Sequence, residues 1–358
     1  MRFLDEHDVR AVFDLDTAIA SQRAAFVALA RGEAWQPEKI LGGHPDDPDT
    51  VFCYAARLDR TTGPVCKFGS VNPGNAGTSR PTINAVVAVL DPHTGVPLTF
   101  MDGTALTTLR TAAASAVAVG ALARKDAARL LVLGAGAQGR AHIAALQRNR
   151  AYAWTGMWSP RPSTAHASVG LLREQGFDVE PVESLDDAIA GADVVVCATL
   201  ATEPLFSAAE LSSGVTVVTV GSFERHRCEI GPDILRASRH VVVDHEQTAR
   251  QNCGPIVSAA AQSGAAELGV VELGRVLIGD VAGRVGDDDT VTYMSAGLGV
   301  QDAAAAWSVY RQAEARGVGR SVDWPATPAM SPDVEVPCTP RLGSPSSGIL
   351  PRPHSRSH

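Results

Sequence analysis

The apolar run Leu130-Leu131-Val132-Leu133 leads directly into Gly134-Ala135-Gly136-Ala137-Gln138-Gly139, and Arg140 to Leu146 then carries helical spacing. An unbroken apolar run without alternation reads as a strand buried on both faces, the pattern of a parallel sheet. In a Gly-x-Gly-x-x-Gly turn each glycine has a separate task. Gly134 permits the tight turn, Gly136 lets a pyrophosphate approach the backbone, and Gly139 lets the helix lie close to the strand. The strand end then meets the positive end of the helix dipole. A glycine-rich turn can also be purely structural, but strand before and helix after point to a dinucleotide. Gly134, Gly136, Ala137, Gln138 and Gly139 are therefore candidate cofactor contacts.

Strand-like runs recur downstream. Trp154 to Trp158, Asp193 to Ala198, Val215 to Val220 and His240 to Asp244 alternate with helical spacing at Leu185 to Ala190 and Pro232 to Ala237. This order predicts an α/β fold with a Rossmann-type parallel sheet over about residues 126–297. The preceding segment differs. Val51 to Leu58, Pro64 to Phe68, Thr82 to Leu90 and Val96 to Met101 are short β-type runs, with a turn signal at Asp91-Pro92-His93-Thr94-Gly95. Thr104 to Leu122 is alanine-rich and helical, so residues 1–125 read as an α+β module. Val300 to Arg316 is a further helix that can pack back on it, giving a discontinuous domain of 1–125 with 298–320. Proline, serine and glycine dominate 321–358, which reads as a disordered tail.

Composition narrows the function. With 358 residues, 45% hydrophobic content and a net charge of −8, the chain reads as a soluble two-domain protein without the basic surface that nucleic acid or an anionic membrane requires. The start, Met1 to His7, has no apolar core resembling a signal peptide, and no run of about twenty apolar residues suggests a bilayer span. A cytoplasmic protein is expected. Cys53, Cys66, Cys197, Cys228, Cys253 and Cys338 form no Cys-x-x-Cys pair and read as buried free thiols.

Three cations in the first module can carry chemistry: Lys39, Lys67 and Arg110. An arginine among small residues near a helix start can hold a carboxylate bidentately. A lysine on a strand beside another cation can exchange a proton with an amine or imine. By type alone each also suits a solvated surface. His44 to Asp49 and Asp287 to Asp289 read as acidic loops, and Asp244-His245-Glu246 as a strand end that caps the next helix; no metal site is expected.

At these residues the chain resembles the ornithine cyclodeaminase and mu-crystallin family, which includes alanine dehydrogenases and ketimine reductases. The likeness runs from about residue 15 to 317 and is densest in Lys67 to Asn75, Asp102 to Ala118, Leu131 to His142 and Ser295 to Asp302. It implies a substrate and dimerisation domain, a Rossmann domain, an active site between them, and homodimers. It also implies that Lys67 is the acid/base, Arg110 holds the α-carboxylate, and Lys39 stands where many members have a second carboxylate-binding arginine. Asn75 and Thr82 then belong to the substrate pocket. Thr111 falls near the cofactor phosphates, and Thr199, Ser295 and Gly297 fall near the nicotinamide.

One departure bears on the reaction. The resemblance implies an aspartate after the strand corresponding to Val215 to Val220, carried by cyclodeaminases and several alanine dehydrogenases; here Phe223 occupies that place. A phenyl ring cannot accept a proton or pair with an ammonium, which disfavours cyclodeamination and suits an apolar substrate side chain. Glu224 or His226 could substitute only from a shifted loop. The reading is an NAD(P)-dependent amino acid dehydrogenase or imine reductase acting on an α-imino or α-keto acid. The alternatives are an ornithine or lysine cyclodeaminase using catalytic NAD, and a cofactor-binding protein without turnover. After the second strand, Trp158-Ser159-Pro160-Arg161-Pro162-Ser163 lacks the carboxylate that would bind a ribose 2′-hydroxyl. Ser159, Arg161 and Ser163 suit a 2′-phosphate instead, so NADP(H) is expected over NAD(H).

Overall fold

The computed structural model describes residues 1–44, 49–75, 78, 80–263 and 268–324. Residues 45–48 of the acidic turn, Cys338 and the tail from 325 onward lie outside the described residues. The elements below all belong to one compact unit, Met1–Asp323.

The chain opens with β1 (Arg2–Leu4), α1 (Glu6–Val12) and α2 (Leu15–Ala30), followed by β2 (Ile40–Gly42), β3 (Thr50–Ala56), β4 (Val65–Val71), β5 (Ile83–Leu90) and β6 (Pro97–Asp102). Asp5 and Asp14 cap the two helices, accepting from Asp8 N and Thr17 N. Strands β3, β4 and β5 pair antiparallel, with Tyr54 opposite Lys67 opposite Val87, and Cys53 opposite Phe68 opposite Val86. Opposed residues share a face, and successive residues alternate between faces. Phe52, Tyr54, Lys67 and Val87 are thus turned inward and buried, while Val51, Phe68 and Val86 lie about half exposed on the other face. At the tip of β5–β6 the Asp91 carboxylate accepts from His93 N and Thr94 N, which fixes the expected turn.

Next, α3 (Gly103–Leu122) begins at Asp102, whose side chain accepts from Ala105 N at 2.6 Å. It is long and apolar enough to cross a bilayer by length and composition, although no such run was expected. Most of that helix is buried instead. Its alanines divide between two cores, Ala105 and Ala113 packing with Val87 and Ala304, Ala112 and Ala116 with Leu130 and Val218. A helix that is apolar all round belongs inside a protein, and small side chains let neighbours approach it on every side.

The second sheet follows: β7 (Arg129–Leu133), α4 (Ala137–Asn149), β8 (Trp154–Trp158), α5 (Pro162–Glu174), β9 (Glu180–Val182), α6 (Leu185–Ile189), β10 (Val194–Cys197), β11 (Thr216–Thr219), α7 (Pro232–Ala237), β12 (Ser238–Val243), α8 (Glu246–Asn252), α9 (Gly254–Ser263), β13 (Val270–Glu272), α10 (Leu273–Leu277) and β14 (Thr290–Met294). Its strand order is β13-β12-β14-β11-β10-β7-β8-β9, and every pairing is parallel. The chain runs outward from β7 to β9, then returns to place β10 on the other side of β7. Ligands bind at such a reversal, outside the carboxyl ends of the strands.

Finally α11 (Gly299–Arg316) returns to the first sheet, packing on α2, α3, β3 and β4, and β15 (Arg320–Ser321) pairs with β1. The first sheet reads β15-β1-β6-β5-β4-β3-β2. The strands expected from apolar runs are present. β1, β2, β9, β13 and β15, of two or three residues each, were not legible, because so short a run carries no periodicity. The cysteine expectation needs correction. The five described cysteines are free, but only Cys197 and Cys253 are fully buried. Cys53, on the outward-turned face of the first sheet, stands 3.5 Å from Cys66.

Candidate active site

Strand alternation on β4 turns Lys67 inward, where it is only 2% exposed. Its Nζ lies 2.8 Å from Asp302 Oδ2 and donates to Thr107 Oγ1 at 3.3 Å. The Tyr54 ring lies 4.7 Å from the same nitrogen and the Phe52 ring 5.6 Å. Arg110, two turns into α3, donates from Nε to the other Asp302 oxygen at 2.9 Å. One carboxylate therefore spans two cations, and all three groups are buried. Burial pulls the Lys67 ammonium down to about 8, Asp302 opposes the fall, and Arg110 adds to it. Asp302 stands in the first turn of α11, where the helix dipole favours a negative charge. With Nε engaged, both terminal nitrogens of Arg110 remain for a ligand.

Lys67 and Arg110 face a cleft whose walls also include Thr107, Thr111, Gln138, Phe223, Ser295 and Gly297. Gln138 brings in the glycine-rich turn. Gly134 has φ +110°, and a Cβ there would collide with the Ala198 carbonyl; one at Gly139 would collide with the Gly134 carbonyl. A Cβ at Gly136 would meet nothing, so space lies open where the backbone turns into α4. Helix α4 has no side-chain cap, and Gln138 Oε1 is buried without a partner. Open backbone and an uncapped helix start together fit a dinucleotide pyrophosphate. Beside this turn, Gly134 N donates to Trp158 O, which brings the end of β8 alongside. There Ser159 is buried, Arg161 and Ser163 are exposed, and α5 also starts without a side-chain cap.

Two buried carboxylates that sequence reasoning did not assign to the site hold backbone in or beside the loops that carry cleft residues. Asp244, at the end of β12, accepts from Ala296 N and Gly297 N at 2.8 Å each, and its Oδ2 is 3.4 Å from Ser295 Oγ. It holds the loop that enters α11, whereas His245 caps α8. Burial pushes the Asp244 carboxyl up. Glu229 accepts from Thr199 N, Thr199 Oγ1, Thr219 Oγ1 and Gly221 N, joining the ends of β10 and β11. Burial pushes this carboxyl up as well, against those bonds.

Of the residues singled out from sequence, Lys67, Arg110, Thr111, Gln138, Ser295 and Gly297 converge on the cleft. Lys39 donates to Ala296 O at 2.9 Å, bonding to a wall residue, and burial lowers its ammonium. Thr199 spends its hydroxyl on Glu229. Asn75 and Thr82 are not brought into the wall. The Asn75 amide donates to Pro81 O in its own loop, and Thr82 O accepts from Asn72 N, while their neighbours Val71 and Ile83 line the cleft. Ala137 is exposed at the start of α4. Glu224 pairs with Arg227 and His226 is largely exposed, so neither takes the place of Phe223 in the wall. Asp302 was missed as a site residue. Its signal was its position in the first turn of a helix that returns to the cationic module, which sequence spacing cannot place against Lys67.

A parallel sheet with an open glycine cradle, facing buried cations of the kind that bind a carboxylate, defines the class: a dinucleotide-binding α/β protein with a small-acid site. Residues 2–317 match the Ornithine cyclodeaminase/mu-crystallin family, and the chain belongs to it. It is 31% identical over 326 residues to a Delta(1)-pyrroline-2-carboxylate reductase of Bacillus cereus (strain ZK / E33L), covering 90% of this chain and 100% of the relative. The Thermococcus litoralis Delta(1)-pyrroline-2-carboxylate reductase in complex with NADH and L-proline superposes with a TM-score of 0.86 at 27% identity, over 90% of this chain and 100% of that one. An archaeal alanine dehydrogenase dimer with bound NAD gives 0.83 at 27% identity, over 90% and 99%.

Proposed function

We propose that this protein is an NAD(P)H-dependent oxidoreductase that reduces an α-imino acid, or an α-keto acid with ammonia, to an α-amino acid. The observation that carries the reading is the buried Lys67–Asp302–Arg110 cluster in a cleft shared with Gln138 of the glycine-rich turn. When bound, the nicotinamide supplies the hydride. Arg110 holds the substrate carboxylate through its two terminal nitrogens, and Asp302 fixes the guanidinium by its Nε. Lys39 adds positive charge nearby. Lys67 gives a proton to the substrate nitrogen as the adjacent carbon becomes tetrahedral, and takes it back in the reverse direction. An ammonium lowered to about 8 is suited to both.

Gly134, Gly136, Ala137, Gln138 and Gly139 cradle the cofactor phosphates with Thr111 alongside, and Thr199, Ser295 and Gly297 border the nicotinamide. Ser159, Arg161 and Ser163 receive a 2′-phosphate, giving a preference for NADP(H). The two sheets act as a substrate domain, 1–125 with 298–320, and a dinucleotide domain, 126–297. The half-exposed Val51, Phe68 and Val86 of the first sheet form the contact of a homodimer. Partners are small acids rather than nucleic acid or membrane, in keeping with the net charge of −8, and the compartment is the cytoplasm.

Purified protein should oxidise NADPH with members of a panel of 2-oxo acids plus ammonium and cyclic imino acids. Lys67→Met should lower turnover by roughly 10²–10⁴-fold while NADPH still quenches protein fluorescence. Ammonia release from ornithine with catalytic NAD⁺ and no net redox change would replace this reading with a cyclodeaminase. Normal turnover in Lys67→Met would remove that residue from the mechanism.

A further inference from the structure

The cations of the cleft outnumber the carboxylates that touch them. Among the described residues, Asp302 is the one acid paired with Lys67 and Arg110, while the Lys39 ammonium meets a carbonyl, Ala296 O. Other charged groups facing the two lysines are Asp244, at the end of β12, and Glu224, in the loop after β11. Asp244 accepts from Ala296 N and Gly297 N, and Glu224 pairs with Arg227. The Cys253 thiol also lies near Lys39, and burial pushes it up, so it stays neutral. Beyond the cations the wall is apolar, formed by Leu41, Phe52, Val71, Ile83 and Phe223. An ammonium in such surroundings loses hydration and needs a partner.

Tyr54 supplies one to both lysines. Its ring centroid lies 4.7 Å from Lys67 Nζ and 5.7 Å from Lys39 Nζ, within reach of a cation–π contact for each. The placement is built into the first sheet, since Tyr54 on β3 stands opposite Lys67 on β4 and both are turned inward. Burial pushes the Tyr54 hydroxyl up, so the ring adds no charge of its own. A second carboxylate in this place would cancel the positive charge that a substrate carboxylate requires. An aromatic face attracts the ammonium groups and leaves that charge in the site.

We propose that Tyr54 is a positioning residue for the proton transfer, its ring face holding the ammonium groups of Lys67 and Lys39 in place and charged without neutralising the site. The inference rests on Lys67 as the acid, so its test reads Lys67 directly rather than turnover. Lys67 lines the cleft, where a small reagent can reach it. A trace of acetic anhydride acetylates each lysine of the folded protein in proportion to its uncharged fraction, and mass spectrometry of the Lys67 peptide between pH 5 and pH 10 gives the midpoint. The wild type should titrate at about 8. Tyr54→Phe removes the hydroxyl but keeps the face, and should leave the midpoint unchanged. Tyr54→Met fills the space without a π face, and should lower the midpoint by about 0.5–1.5 pH units, the equivalent of one desolvated cation–π contact. Pentafluorophenylalanine at position 54 keeps the shape of the ring but reverses the charge on its face, so it should lower the midpoint even if the methionine variant does not fold. An unchanged midpoint in the fluorinated protein, or an equal shift in Tyr54→Phe, would overturn the inference. Normal turnover in Lys67→Met alongside the expected midpoints would instead count against Lys67 as the acid, and leave the hold of the ring on the lysines standing.

Discussion

Replacing Asp302 by asparagine keeps the shape of the cluster but removes the only charge between two buried cations. In the wild type the Lys67 ammonium sits at about 8, below its ordinary 10.5, so the unfolded chain binds more protons between those values and stability rises with pH across that window. Without the Asp302 charge the folded value falls below 8, because that carboxylate is what opposes desolvation. The rising segment then extends downward, adding about 1.4 kcal/mol per pH unit below pH 8. That penalty grows with each unit by which the folded value falls below 8 and comes on top of the lost bond to Arg110. The total at pH 6 should be about 3–5 kcal/mol, the usual cost of removing one partner from a buried ion pair. Denaturant unfolding of wild type and Asp302→Asn at pH 6, 7 and 8 measures it. The variant should be most destabilised at pH 6 and recover as pH rises. A difference of under about 1 kcal/mol, or one that does not change between pH 6 and 8, would refute the argument.

Three further outcomes are expected. Arg161→Ala should weaken NADPH binding while leaving NADH nearly unaffected, by about 1.5–3 kcal/mol for a charged hydrogen bond; equal losses for both cofactors in titration would exclude a 2′-phosphate contact. Gly136→Ala should weaken dinucleotide binding without lowering the melting temperature, since its Cβ meets no protein atom, whereas Gly139→Ala should destabilise the fold through the Gly134 carbonyl; the reverse pattern would mean that Gly136 is structural. His142 is fully buried, bonded to Ser115 Oγ at 2.9 Å and Gln138 O at 2.7 Å, and burial lowers it to about 4. The unfolded imidazole binds its proton from 6.5 downward, so the stability this site contributes is complete above pH 6.5 and lost as pH falls toward 4, by about 3 kcal/mol. His142→Gln should flatten that acid limb in thermal melts, and an unaltered limb would place the acid sensitivity elsewhere.

Much of the fold was legible because its longest signals are local. Leu130 to Gly139 states its strand, turn and helix start in consecutive residues, since a buried parallel strand needs unbroken apolar side chains and the turn needs glycine where carbonyls crowd it. The alanine run of α3 likewise announced a helix, though not that it is buried between two cores at once. Lys67 and Arg110 stood out by residue type within a family pattern, and Phe223 by the residue it replaces.

What the sequence could not carry was partnership across distance. Asp302 lies 192 positions from Arg110 in the chain and yet accepts its Nε; only the return of α11 to the first sheet brings them together. The same holds for Asp244 under the loop at Ala296 and for Glu229 across the ends of β10 and β11. Asn75 and Thr82 went the other way, their polar groups taken up by their own loop while Val71 and Ile83 reached the cleft. Backbone conformation follows largely from neighbours within a few residues, so the sequence by itself determined the longer strands, the glycine cradle and the candidate cations. The protonation of Lys67, the orientation of Arg110 and the apolar wall depend on charges and surfaces that tertiary packing alone brings within a few ångströms, where desolvation makes each interaction strong.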